Sequence, residues 1–226
     1  MTSTDIQMQR NRIPTLTDWA IQEVRAKIVL GEFEPGERLP IEQLAEELGI
    51  SRVPLREAIR SLESEGMITT TPHRGAIATP MSIQDAEDAY TLLELAELRA
   101  VERAARATDH SSTRIMHASL ETMRAHVDEP HVTREALEAH RAFHFAFFDR
   151  AGEGLLLRQL RILWYTCERY VMSSIPSNSR AAQALKEHEE LARLVEEGDV
   201  DGAREHLRHH LQSSFAAVRE YLEADA

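Results

Sequence analysis

Two short amphipathic stretches joined end to end, IEQLAEELGI and SRVPLREAIRSLESEG, constrain this chain more than any other part of it. In the first, Leu44, Ala45 and Leu48 share one face and Gly49 stops the pattern. In the second, Ser51 is a candidate N-cap, Leu55, Ile59 and Leu62 point inward, and Gly66 closes the segment. Two helices joined at LGIS make a helix-turn-helix. Upstream, LTDWAIQEVRAKIVL places Leu16, Ala20, Val24 and Ile28 at helical spacing with Trp19 alongside, and GEFEPGERLP ends that helix. Downstream, MITTT and AIATP flank a reversal at PHRG, which predicts a two-stranded wing. Residues 1–80 are therefore expected to form a winged helix-turn-helix. From Ser82 onward no segment reads as a strand, and breaks at TDHSS, DEP, AGEG, SIPSNS and EGDVDG divide residues 81–226 into an all-α bundle of six to seven helices. The predicted fold class is mostly α, with the wing as its small β element.

The stretch SRVPLREAIR sets three arginines against one glutamate in a chain of formal net charge -12. The acidity is uneven: residues 1–80 hold 9 Lys and Arg against 12 Asp and Glu, and the rest holds 17 against 26. Charges are screened over roughly 8 Å at physiological salt, so a local basic face is compatible with an acidic total. Arg52 and Arg56 are four residues apart and share a helix face opposite Leu55, Ile59 and Leu62. Ser51, Arg52, Val53, Pro54 and Arg56 make up the first turn, the end of a recognition helix that meets base edges and whose dipole favours phosphate. Arginine can grip guanine or a phosphate bidentately. His73, Arg74 and Gly75 at the wing tip offer a second contact. Double-stranded operator DNA is thus the expected partner, against the plainer reading of arginines tied to Glu57 or Glu63.

No run at the N-terminus resembles a signal peptide, and no stretch approaches the ~20 apolar residues of a membrane span, so a cytoplasmic location with no membrane partner is expected. Cys167, the single cysteine, lies in the apolar run LRILWYTCERY and reads as a buried thiol.

The segment GEFEPGERLPIEQLAEELGISRVPLREAIRSLESEGMITTTPHRGAIATP closely resembles the DNA-binding domain of the GntR family of bacterial transcription regulators over some 50 residues. That resemblance implies DNA contact by Arg38 after the PG turn, by Arg52 and Arg56, and by His73, Arg74 and Gly75. It also implies a homodimer on a short pseudo-palindrome, acting as a repressor. One departure is plain: family members usually carry an arginine at the start of the second helix, where this chain has Glu42. The helical remainder is similar to the FCD ligand-binding domain of the FadR subfamily over most of residues 83–222, through LRAVERAA, HRAFHFAFFDRAG and EHEELARLVEEGDVDGAREHLRHHL.

His140 and His144 stand at i and i+4 in HRAFH, so both imidazoles lie on one helix face, as a metal pair requires. The FCD resemblance adds His188 and His210, on two further helices, as the other ligands. It also implies an aspartate where this chain has His140, which leaves either a four-histidine site or three ligands with His140 engaged elsewhere. An imidazole in place of a carboxylate favours a divalent zinc or nickel ion over magnesium or calcium. His206, four residues before His210, is a rival ligand, and His209 should face outward. Arg99 resembles the arginine that pairs with carboxylates in this family, which implies a small carboxylic acid effector; pairing with Glu102 or Glu94 is its other reading. The competing class is a metal-dependent hydrolase on a helical bundle. HRAFH argues against it, because a zincin motif places a glutamate general base after the first histidine and Arg141 stands there.

Overall fold

The structure, a computed structural model, describes residues 14–71, 74–152, 154–174 and 178–224, with the side chains of 178 and 179 left out. Its residues divide into two compact units: one of residues up to 28 and 32–79, the other of residues 29–31 and 80 onward.

The first unit contains all but the last residue of α1 (Leu16–Val29), with α2 (Ile41–Glu47), α3 (Arg52–Ser64), β1 (Ile68–Thr71) and β2 (Gly75–Ala78). Ala20, Val24 and Ile28 of α1, Leu44 of α2, and Leu55, Ala58 and Leu62 of α3 are buried together with Leu39, Met67 and Ile68. Each large apolar side chain buried in this way stabilises the unit by about 1.5–3 kcal/mol. Leu16 departs from its expected inward place and is exposed, because it occupies the first residue of α1, where the helix has only begun to meet the core. Gly49 makes the turn between α2 and α3 at φ 64°, a left-handed conformation that a side chain disfavours. Arg25, fully buried, is tied by its guanidinium to Glu65 at 2.5 Å and so locks α1 to the end of α3.

The two strands pair antiparallel with Ile68 opposite Ala78 and Thr71 opposite Gly75. A third backbone segment joins them: Arg38 bridges Ile77, Leu39 N–H donates to Ala76 O at 2.9 Å, and Ala78 N–H donates to Glu37 O at 2.8 Å. This ladder fixes the loop before α2 against the wing.

The regular elements of the second unit among the described residues are helical: α4 (Ile83–Ala105), α5 (Ser111–Ala125), α6 (Arg134–Phe148), a 3-10 turn (Asp149–Ala151), α7 (Leu155–Ser174), α8 (Asn178–Glu197) and α9 (Val200–Ala224). Ser82 caps α4 and Thr133 caps α6, each accepting a backbone N–H three residues on. Helix α4 packs against α6, α7, α8 and α9, and α5 packs against α6 and α8. Phe143, Phe147, Phe148, Leu160, Trp164 and Tyr170 fill the space between them, and Cys167 is buried among them as a thiol. No helix among the described residues is long and apolar enough to cross a membrane.

Candidate metal centre and nucleic-acid face

In the first unit the expected arginines lie on the surface. Ser51 has the extended backbone of an N-cap (φ -73°, ψ 162°), yet its hydroxyl makes no capping bond and stays exposed. Arg52, Val53 and Arg56 are exposed, and Pro54 sits in the first turn, where its missing N–H has no partner to lose. Arg38 and Arg74 are exposed as well, and the Arg38 side chain passes beside Gly75, at the start of β2. The turn of α3 and the Arg38–wing ladder therefore present cations from one compact unit. Neither glutamate on α3 claims them: Arg52 pairs instead with Glu42 of α2 at 3.0 Å, and among the described residues no ion pair engages Arg38, Arg56 or Arg74. His73 lies outside the described residues.

The second unit carries a histidine cluster. His140 and His144 come from α6, His188 from α8 and His210 from α9. Donor nitrogens of His140, His144 and His188 all lie within 4.8 Å of one another. His210 stands beside them, its ring centroid 4.6 Å from His188 and 5.9 Å from His144. The Nε2 atoms of His144 and His188 face each other at 3.1 Å. Two nitrogens at the usual zinc–nitrogen length on one ion would be about 2.9 Å apart in an octahedral shell and about 3.4 Å apart in a tetrahedral one, so the observed spacing suits a shared ion.

Burial sets the charge state of this cluster. It pushes the His144 and His188 imidazoles well below the ordinary histidine range, and with help from His210, Arg141 and Arg180 it lowers His140 to about 3. Burial also lowers His210, although a hydrogen bond from its Nδ1 to Glu187 at 2.7 Å works the other way. Neutral imidazoles are what a divalent ion needs. The Nδ1 atoms of His140, His144 and His188 are buried without a hydrogen-bond partner. A donor set that is neutral, short of partners and, in His144 and His188, fully buried fits a divalent metal ion. His206 is drawn away, its Nε2 hydrogen-bonded to the Glu187 carbonyl at 2.7 Å, and His209 is exposed.

The cluster lines a cavity of about 130 Å³ whose apolar wall includes Met123, Val127, Leu185 and Leu211. Water needs roughly 10–15 Å³ of such space, so there is room beside an ion for a small organic molecule. The cation of this cavity is not the expected one. Arg99 has a side chain 62% exposed, is paired with Glu102 at 3.3 Å, and does not line the cavity. The helical register is the reason, since Leu93, Glu97, Ala100 and Val101 occupy the inner face of α4 and turn Arg99 outward. Arg180, on the first turn of α8, lines the cavity instead and is held by Glu187 at 3.3 Å and the Ser214 hydroxyl at 2.9 Å.

Three acids of the bundle are not among the residues expected from the sequence. Glu187 is held at about 2: burial would raise it, but the His210 hydrogen bond and charge, Gln183 and Arg180 outweigh that. Glu168, fully buried, takes a bidentate grip from Arg141 at 2.7 and 3.1 Å and accepts from Trp164 at 3.3 Å. Glu97 is buried in the bundle without any hydrogen bond, and burial pushes its carboxyl well above the ordinary range. The available signal was periodicity, since Tyr90, Leu93, Glu97, Val101 and Ala104 make one stripe in which a glutamate is out of character.

Residues 16–77 match the family of bacterial regulatory proteins called gntR, and residues 88–213 match the FCD domain. The chain is 29% identical over 214 residues to BphR, an HTH-type transcriptional regulator of Paraburkholderia xenovorans strain LB400, covering 92% of this chain and 87% of that protein. It is 28% identical over 193 residues to the Nta operon transcriptional regulator of Aminobacter aminovorans, covering 84% and 88%. The solved structure of E. coli McbR/YncC superposes with a TM-score of 0.81 at 20% identity, covering 92% of this chain and 99% of that one, a likeness of fold.

Proposed function

Because the chain belongs to the GntR family of bacterial regulatory proteins and joins its winged helix-turn-helix to an FCD domain, we propose that this transcription regulator is a repressor governed by a small carboxylate. It is a DNA-binding regulator and not an enzyme, and the hydrolase alternative has no support in its domains or relatives. In this reading Arg38, Ser51, Arg52, Val53, Pro54, Arg56, His73, Arg74 and Gly75 meet operator DNA. A homodimer brings two such domains to the half-sites of a pseudo-palindrome, since one winged module covers too little DNA for operator-level affinity. Sedimentation of the protein with operator DNA should give a dimer; a species that stays monomeric on DNA would remove this element.

The observation that carries the regulatory reading is that the histidine cluster and Arg180 line one small, mostly apolar cavity. His144, His188 and His210 would hold a zinc or nickel ion with His140 as fourth ligand, and the ion would act as a Lewis acid toward an anionic group. Arg180 would give a carboxylate its second anchor by charge-assisted hydrogen bonds, while Leu185 and Leu211 would accept an apolar body. Such a ligand alters DNA binding only to the extent that it prefers one state of the protein over the other. The deciding experiment is elemental analysis of protein purified without chelator or metal-affinity tag, followed by titration with mono- and dicarboxylates. Stoichiometric metal and carboxylate-dependent thermal stabilisation are expected. Metal-free protein that gains no stability from added zinc or nickel would refute the metal-dependent reading.

A further inference from the structure

Two of the clustered histidines, His210 and His144, have a glutamate beside their Nδ1 atom. For His210 the contact is already a hydrogen bond, Nδ1 to Glu187 Oε2 at 2.7 Å. For His144 it is incomplete: Nε2 faces His188 at 3.1 Å, while Nδ1 lies 3.6 Å from Glu97 Oε2, beyond hydrogen-bond reach. His144 and Glu97 are 1% and 0% exposed, and neither the imidazole Nδ1 nor either carboxyl oxygen has a hydrogen-bond partner. Leaving such groups unpaired inside a helical core is a cost to the stability of the fold. An apolar residue in place of Glu97 would have avoided that cost, since its neighbours on the α4 stripe are Tyr90, Leu93, Ala100 and Val101. The carboxyl is thus a liability to the fold alone, and it lies a few tenths of an ångström from a bond to a proposed metal ligand.

We propose that Glu97 is a positioning residue for the metal centre, accepting a hydrogen bond from His144 Nδ1 and thereby fixing the tautomer whose Nε2 lone pair faces the ion. The inference rests on the metal reading above. A neutral imidazole carries one N–H, so a ring that gives Nε2 to a metal must present its proton at Nδ1, and a carboxylate there sets ring orientation and raises ligand basicity. Glu187 performs this task for His210 from α8, and Glu97 performs it for His144 from α4. Ligands on α6 and α9 are thus braced by two other helices. A shell of imidazoles alone brings no negative charge to the ion, and the Glu187 carboxylate behind His210 brings it close without taking a coordination position.

The test compares Glu97→Met, which fills the space without an acceptor, with Glu97→Gln, which keeps an acceptor oxygen. Zinc affinity is measured by chelator competition, metal-free stability by calorimetry, and the His144 Nδ1 proton by NMR of the zinc-loaded protein. Glu97→Met should bind zinc about 10- to 100-fold more weakly, with no loss of metal-free stability and no retained Nδ1 proton signal. Glu97→Gln should keep the signal and lose less affinity. If Glu97→Met binds zinc as the parent does, the positioning role is wrong while the metal centre stands. A parent protein that takes up no zinc overturns both. Loss of zinc in both variants only alongside loss of the metal-free fold makes the residue structural and overturns the proposal.

Discussion

The arginine face of the first unit and the histidine cluster of the second handle charge in opposite ways. On α3 the guanidinium groups are held out in water, and Arg52 is 63% exposed even within its ion pair. Such groups cost little to display and gain their value only when a polyanion arrives and releases its counterions. In the bundle the imidazoles are withdrawn from water and kept neutral by that withdrawal, the state in which an imidazole can coordinate a metal. Surface charge can be altered without disturbing the fold, whereas buried donors are tied to it. Substitutions in the two regions should therefore separate stability from binding.

The largest effect is expected at His144. At a free zinc concentration a thousandfold above Kd, a bound ion contributes about 4 kcal/mol to stability. Losing it should lower the melting temperature by on the order of 10 °C for a protein of this size. Calorimetry of His144→Ala should show that drop relative to the zinc-loaded parent, and chelator treatment of the parent should bring it to nearly the same value. His140→Asp, which restores the family's commoner ligand, should retain metal. Equal melting temperatures with and without zinc in the parent would end the contrast between the two regions.

Next comes Arg180. A hydrogen bond to a charged group is worth about 1.5–3 kcal/mol, so Arg180→Gln should weaken carboxylate binding by roughly 10- to 100-fold while metal content is unchanged. Titration with benzoate and citrate reads the first, elemental analysis the second. The same measurements on Arg99→Gln should show no change. An effect at Arg99 with none at Arg180 would return the effector site to the outer face of α4.

Arg52→Ala and Arg56→Ala should each cost ~1–3 kcal/mol of operator binding and leave the melting temperature alone. Mobility shifts at matched salt measure the first. Parent-like binding by both variants would remove α3 from the recognition surface.

These contrasts also mark what the sequence made legible. The helix-turn-helix and wing were readable because the turn at Gly49, the stop at Gly66 and the reversal before Gly75 are local, and local conformation follows from a few neighbouring residues. The i,i+4 pair His140 and His144 was readable for the same reason. His188 and His210 reached the cluster only through family resemblance, since their meeting depends on how α8 and α9 pack and no spacing encodes it. Arg99 is the converse case: a residue assigned by resemblance, which the inner stripe of its own helix turns outward from the cavity. Arg180 carries no such signal, because it lies just after a loop, where no amphipathic pattern marks an inner face. Glu97 was visible as a lone acid among apolar positions, but without a tertiary neighbour its meaning was open.

The smallest expected effect concerns Glu42, where this chain departs from the arginine usual at the start of the second helix. Its carboxylate holds Arg52 at 3.0 Å, with both side chains largely exposed, and a surface pair of this kind is worth about 0–1 kcal/mol. On DNA, however, the glutamate competes for a guanidinium that the polyanion needs and adds a negative charge near the recognition helix. Glu42→Gln should therefore tighten operator binding by a factor of up to about 5, and the freed contact should steepen the salt dependence by up to about one counterion. The gain should vanish in the Arg52→Ala background, where a double-mutant cycle has no pair left to break. If Glu42→Gln instead weakens binding, and does so only when Arg52 is present, Glu42 serves to aim Arg52 at a base. The two regions would then be alike in one respect, each using a glutamate to orient a cationic or metal-binding side chain.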